Sequence, residues 1–399
     1  MAVNGHDHPV MRRAATFRLV RTSTLAAGPC PLSTDEGGPS VAHAAKDRDR
    51  AIGARDARSA DEVIGSIESS RWDVDPVAHG MTAMEYQRGE AELLMSAFQH
   101  RAGGVNRFFH FPGLTRFGDN WVVSVNNDTV YSVVIVDARE GFTITVPEVG
   151  DRFVSLHIQD FNHTFVDYTW SSGEHRYSAG EVDTDYVIAG LRIATSGSDA
   201  DQAYVRNTLQ PQARIQAASS IPFEPQADPE LTRAVRAALL PRYELLADTY
   251  DTVKYDIRAV TDWEKWTYTM AGQFGLSPED TAMYPAFAPS DTQGERTYRA
   301  SFDAVPAGAF FSLTAYGPDR FLMSDEANIV SSNRPDFKAR PDGGFDVVFG
   351  GTQARALAER EGVNYLYTPQ DGWSGILRAY RPDVEQMLHY RMPQLTPVG

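Results

Sequence analysis

Cysteine is all but missing from the chain: Cys30 stands alone among 399 residues. One thiol cannot close an internal disulfide or build a Cys-based zinc site, so neither a disulfide scaffold nor a zinc-ribbon module is open to this sequence. Long apolar runs are missing too. No stretch approaches the roughly 18 consecutive apolar residues that a membrane-spanning helix needs. Basic residues are in deficit, 37 Lys and Arg against 53 Asp and Glu, and a net charge of −16 repels phosphate backbones and anionic lipid headgroups. No basic stripe overrides that balance, so neither a nucleic-acid partner nor a membrane span is expected. The short catalytic signatures are absent as well. There is no G-x-S-x-G elbow, no H-E-x-x-H, no Walker A loop and no G-x-G-x-x-G, which removes the hydrolase, zincin, NTPase and dinucleotide-binding readings those motifs would carry.

What is present is globular and aromatic. Hydrophobic residues make up 42% and charged residues 23%, and the 17 Tyr and 20 Phe favour half-buried pleated surfaces. Residues 1–58 read as a low-order extension rich in Gly, Pro, Ser, Ala and charge. Arg12, Arg13, Arg18 and Arg21 are not followed by an apolar run, so no secretory signal is evident. A cytoplasmic protein is the expectation, with export left open.

Order is expected to begin at Ser59-Ala60-Asp61-Glu62, a capping-box pattern. A helical segment (59–105) includes a helix over 83–99, stopped by Gly103 and Gly104. The pattern then turns to period two. Strands are predicted at 121–125, 130–136, 143–147, 152–158, 165–170 and 185–195, forming a β-sandwich domain over 106–198. A helical connection follows (199–290), with Asp228-Pro229-Glu230 as a helix start and Pro241 as a break. Strands at 297–302, 309–315, 344–349, 364–367 and 375–380 make a second sandwich over 291–399. The fold class is therefore mainly β with helical segments: two sandwich or jelly-roll-like domains joined by a helical region.

Several segments carry a family resemblance. Val125-Asn126-Asn127-Asp128-Thr129-Val130-Tyr131-Ser132 is similar to an N-x-D-T-x-Y-[SG] stretch. Val146-Pro147-Glu148 and Asp151-Arg152-Phe153 follow it, and farther on come Phe310 to Gly317, Pro341-Asp342-Gly343-Gly344 and Ile376 to Pro382. Together they resemble the paired DUF1254 and DUF1214 domains, in order and spacing, over residues 80–395. Phe311 and Tyr365 stand where that pattern carries Trp. The resemblance implies two jelly-roll-like β halves with a helical connection, often in a homo-oligomer, and it implies no reaction.

Two segments could carry chemistry. Asn126, Asn127, Asp128, Thr129 and Tyr131 place carboxamides, a carboxylate and hydroxyls at a turn between apolar strands, where Asp128 could deprotonate a ligand and Tyr131 could orient it. Asx-turn chemistry alone would also explain them. In the second segment, His157, Gln159 and His163 share one face of a regular strand, with Asp160 on the other. Two imidazoles and an amide admit a divalent metal if a carboxylate joins them, although no cofactor is required. Arg378 and Tyr380 alternate within an apolar strand, where an Arg needs an anionic partner, structural or ligand. The catalytic candidates are Asp128, His157 and Asp160. Three readings stay open: an enzyme or binder for a small molecule, a non-catalytic ligand-binding or structural oligomer, and a cupin-like metal enzyme.

Overall fold

The computed structural model describes residues 41–399. Residues 1–40 of the expected extension lie outside the described residues. Within the remainder of that extension the structure differs from the expectation: Val41–Gly53 (α1) is a helix. Lys46 pairs with Asp167 at 2.6 Å, and Asp49 accepts the Tyr255 N–H at 3.1 Å. Partners more than a hundred residues away hold this helix, and local composition cannot reveal them. Next come Ala60–Gly65 (α2), entered through the Ser59–Glu62 capping box, and Ala83–Ala102 (α3), capped by Thr82 with Glu85 and closed by Gly103 at φ 73°. The local signals there are obeyed because each needs only groups within a few residues.

The first β half is a two-layer sandwich. Its strands are Phe109–His110 (β1), Thr129–Asp137 (β2), Phe142–Val146 (β3), Val154–Asp160 (β4), Phe165–Thr169 (β5), Gly173–Tyr177 (β6) and Tyr186–Ala194 (β7). After a short helix, Asp199–Tyr204 (α4), the strand Arg214–Ala217 (β8) returns, so this half extends past residue 198. One sheet runs β1-β2-β7-β4-β5 and the other β6-β3-β8, and every pairing is antiparallel. Alternation puts Val134, Leu156, Leu191 and Ile144 into the core between the layers. The opposite face of the larger sheet carries Tyr131, Ser155, His157 and Arg192, and it is this face that borders the site.

The predicted strand 121–125 does not form. Its backbone groups are taken elsewhere: the Ser124 N–H donates to the Arg320 carbonyl at 2.8 Å, and the Val125 carbonyl accepts from the Tyr316 hydroxyl at 2.6 Å. Ser124 sits at φ 50°, which no strand allows. A β-branched run thus becomes a loop because its hydrogen-bond partners lie on the other β half.

The helical connection contains Pro229–Tyr243 (α5) and Trp263–Gly272 (α6). Asp228 caps α5 as expected, but Pro241 does not break it. The ring sits in the last turn, where the helix ends two residues later at Tyr243. Glu90 of α3 pairs with Arg236 of α5 through both carboxylate oxygens. The same crossing is close enough that a Cβ on Gly89 would meet the Thr232 hydroxyl at 2.5 Å.

The second half repeats the layered plan with Ala282–Met283 (β9), Ala286–Phe287 (β10), Tyr298–Phe302 (β11), Ala307–Tyr316 (β12), Ile329–Ser331 (β13), Phe345–Gly350 (β14), Thr352–Glu361 (α7), Asn364–Tyr367 (β15), Ser374–Pro382 (β16), Val384–His389 (α8) and Thr396–Pro397 (β17). One sheet runs β10-β16-β12-β13 with β9 also on β16, and the other β15-β14-β11-β17. β14 and β15 are parallel, connected by α7, a crossover that the period-two reading did not foresee. Phe302, Leu313, Phe345, Phe349, Trp373 and Leu377 form the core between these layers. Among the described residues no helix is long and apolar enough to cross a membrane.

Replacing Gly89 with Val should force α3 and α5 apart and lower stability by about 1–3 kcal/mol, as overpacking does. Urea unfolding measures it, and an unchanged midpoint would show that the crossing has room to spare.

Candidate functional site

The turn singled out in the sequence lies where the two β halves meet. Asn126 organises it locally: its Oδ1 accepts from the Asp128 N–H at 3.0 Å, the Thr129 N–H at 3.2 Å and the Thr129 hydroxyl at 3.2 Å. This Asx turn aims the Asp128 carboxylate at the second half. There the Ser312 hydroxyl donates to Oδ2 at 2.5 Å, and the Tyr380 hydroxyl donates to the carboxylate, 3.1 Å from each oxygen. The Asn126 amide in turn donates to the Tyr380 oxygen. Burial, then the Asp128 charge, raises Tyr380 well above the usual phenol value, so it remains a donor. Asn127 bonds Asn328 at 2.8 Å, and its carbonyl accepts from Arg334 at 3.1 Å.

Register explains why the second half can answer. Ser312 lies opposite Arg378 and Phe310 opposite Tyr380 on β12 and β16. Phe310, Ser312, Thr314 and Tyr316 therefore share with Ile376, Arg378 and Tyr380 the face turned away from the Leu313–Leu377 core. Arg378 satisfies its guanidinium with neutral groups: Thr314 Oγ1 at 3.2 Å, Tyr316 OH at 2.6 Å and the Ser124 carbonyl at 2.6 Å.

Beside this clamp is a cavity of about 140 Å³. Its walls come from the 121–126 loop, from Tyr131, Val133, His157, Ile188 and Arg192 on the large sheet of the first half, and from Tyr284, Ile376 and Arg378 of the second half. Gln273 to Leu276 close it. On the sheet, Tyr131, Arg192 and Ser155 lie in one row across β2, β7 and β4, and Val133, Gly190, His157 and Tyr168 form the next. Gly190 is required there, because a Cβ would meet the His157 ring at 2.2 Å. This face holds buried polar atoms with no hydrogen-bond partner among the described residues: Ser155 Oγ, His157 Nδ1, Gln159 Nε2, Tyr168 OH and Arg192 Nε. Burial, then the nearby Arg192 charge, holds His157 well below the ordinary imidazole value, so it is neutral at physiological pH. Burial pushes the Tyr131 phenol up to about 12, so it stays a donor.

The candidates divide accordingly. Asn126, Tyr131, His157 and Arg378 line one cavity. Asn127, Asp128, Thr129 and Tyr380 are not in its lining; they make the clamp and turn beside it. His157 and His163 do not share a strand face, contrary to expectation, because β4 ends at Asp160 and the chain turns. Asp160 Oδ1 accepts the Asn162 and Thr164 N–H groups, both at 2.9 Å, and His163 sits at φ 61°. Burial holds His163 down at about 3, and its neutral Nε2 accepts the Gly275 N–H at 3.0 Å while its ring packs on Phe274 at 4.6 Å. It thereby props the loop that closes the cavity. Among the described residues no three His, Cys, Asp or Glu side chains come together to hold a metal. Sequence reasoning missed Arg192, Ser155, Tyr168 and Tyr284. Arg192 was within reach, since it interrupts the apolar run Ile188 to Ala194 in the way Arg378 interrupts its own strand.

Comparisons place these geometries in a wider set. Residues 105–199 match the model of a protein of unknown function, DUF1254, and residues 286–384 match that of another, DUF1214. No curated protein matches the chain. The crystal structure of the VPA0106 protein from Vibrio parahaemolyticus is similar with a TM-score of 0.57 at 16% identity, covering 82% of this chain and 100% of that one. An uncharacterised protein from Burkholderia cenocepacia gives a TM-score of 0.43 at 14% identity, covering 88% of this chain and 94% of that one. The first likeness shows a shared fold.

Asp128→Ala should remove the acceptor that Ser312 and Tyr380 share and destabilise the protein by about 1–3 kcal/mol per stranded group. Chemical denaturation reads this, and unchanged stability would show that the clamp does not hold the halves. A second outcome concerns pH. Burial raises the Asp160 carboxyl from an ordinary 3.8 to about 7. Between those values the folded chain keeps a proton that the unfolded chain has lost, so stability falls as pH rises, by up to ~1.4 kcal/mol per unit. Asp160→Asn keeps the oxygen acceptor of the turn and deletes the charge. It should match the parent near pH 4 and exceed it at pH 8, and a stability gap independent of pH would contradict the assignment.

Proposed function

We propose that this protein, a DUF1254 domain followed by a DUF1214 domain, takes up a small organic molecule in the cavity between its two β halves. One observation carries the reading. His157 Nδ1 and Arg192 Nε, both buried and without a hydrogen-bond partner among the described residues, sit in the wall of a roughly 140 Å³ cavity, on the sheet face that also carries Ser155, Gln159 and Tyr168. A buried polar group without a partner costs about 1–3 kcal/mol, and several on one face are a load that a purely structural sheet would shed by substituting apolar residues. A ligand that supplies the partners removes that cost on binding. The volume is close to the ~150 Å³ of an apolar cavity that accepts benzene, which sets the size class. The site lies between the halves, so Asn127, Asp128 and Asp160 act on it through structure rather than by contact.

Catalysis is a second reading, favoured by His157. A neutral imidazole on the cavity wall, its Nδ1 without a partner among the described residues, is placed to accept a hydrogen bond or a proton from a bound molecule, and an anion paired with the nearby Arg192 would lift the charge that now weakens it as a base. Tyr131 and Arg378 would then orient the substrate.

A library of molecules with about 6–10 non-hydrogen atoms, screened by thermal shift, tests the first reading. Hits should raise the melting temperature of the parent and lose their effect in Val133→Phe, which fills the cavity. Hits that stabilise both proteins equally would bind elsewhere and end the proposal. For catalysis, His157→Gln should abolish turnover of a bound hit while leaving its affinity within a few-fold, and turnover that survives would return the protein to simple binding.

A further inference from the structure

We infer that the molecule taken up is a small organic monocarboxylate, with its carboxylate held by the Arg192 guanidinium and its apolar body in the rest of the cavity. The inference rests on the cavity being a ligand site, as proposed above. Its first support is the charge of the walls. Arg192 and Arg378 both line the cavity, and no Asp or Glu does, in a chain whose net charge is −16. A positive hollow inside an acidic protein selects anions.

The second support is what each arginine does already. The Arg378 guanidinium is engaged by Thr314, Tyr316 and the Ser124 carbonyl. Arg192 is 6% exposed, yet among the described residues it has no carboxylate within salt-bridge distance, and its Nε has no hydrogen-bond partner. The Tyr131 ring, 5.2 Å from Cζ, offers it only a cation–π contact. A guanidinium cannot lose its proton to escape burial, so this cation keeps its full desolvation cost. Its planar fork of N–H donors matches two carboxylate oxygens at once. Ser155, directly opposite Arg192 on β4, and Tyr168, on the next row, place two hydroxyls on the same face behind the cavity wall, near enough to each other to interact.

The third support is the remaining wall. Trp121, Val122, Val133, Ile188, Leu276 and Ile376 are apolar. They leave no cation for a second anionic group once Arg378 is engaged, which argues for one carboxylate on a hydrocarbon body of about six carbons, the size that such a volume holds.

Isothermal titration of the full chain tests this with benzoate and hexanoate as anionic probes, benzyl alcohol as the neutral one, benzylamine as the cationic one, and inorganic phosphate as an anion without a body. Benzoate and hexanoate should bind the parent at least about tenfold more tightly than benzyl alcohol, the worth of one charge-assisted hydrogen bond. Arg192→Met should erase that preference while benzyl alcohol still binds. Its unliganded melting temperature should be no lower than the parent's, since a buried unpaired charge has been removed. Arg192→Lys, which keeps the charge and loses the fork, should fall between them and decides the matter if Arg192→Met does not fold. Benzyl alcohol or benzylamine binding as well as benzoate would overturn the carboxylate inference and leave the cavity reading standing. Phosphate competing equally would overturn the apolar body. No binding by any probe would overturn both readings together.

Discussion

The Asp128 carboxylate is the point on which the arrangement of the two β halves turns. It leaves water at a cost that only good hydrogen bonds offset, and it receives the Ser312 and Tyr380 hydroxyls, 184 and 252 residues along the chain. Neither half can satisfy it alone. Asn126 binds the turn on one side and donates to Tyr380 on the other, so the local geometry of the loop and the docking of the sheets are set by the same few atoms. Networks of this kind specify one arrangement because every slipped alternative strands a buried polar group.

The cavity follows from that docking. The loop that carries Asn126 is also its wall, and Arg378, which anchors the loop through the Ser124 carbonyl, borders it from the far side. His163 fixes the closing loop through the Gly275 N–H. In the wall of the hollow, Arg378 is engaged by Thr314, Tyr316 and the Ser124 carbonyl, whereas His157 Nδ1 and Arg192 Nε on the sheet of the first half have no partner among the described residues. A fold tends to keep such unmet demand where something else meets it, because several unpaired polar atoms weigh heavily against a net stability of only about 5–15 kcal/mol.

Much of the architecture was legible from local patterns. Ser59 with Glu62, Gly103 and Asp228 marked helix ends because capping needs only neighbours in sequence. Alternation located most strands to within a few residues. The parallel β14-α7-β15 unit was not legible, since period two says nothing about strand direction. The 121–125 stretch has strand composition but spends its hydrogen bonds on the other half. In the site, Asn126, Tyr131, His157 and Arg378 were visible as polar groups in apolar surroundings. His163 misled, because a two-residue count assumes a strand that Asp160 ends by capturing the Asn162 and Thr164 N–H groups.

By itself, then, the sequence determined the mainly β character, the helix caps, the Asx turn at Asn126 and the inventory of polar groups, all of which depend on interactions spanning a handful of residues. The tertiary structure alone decided which of those groups meet: that Asp128 joins the halves rather than lining the cavity, that Arg192 has no carboxylate partner among the described residues, and that a cavity forms beside them. Such pairings depend on how two sheets dock. Each strand face presents the same alternating pattern whether it is to meet water, its own core or the other half, so only the docked fold tells them apart.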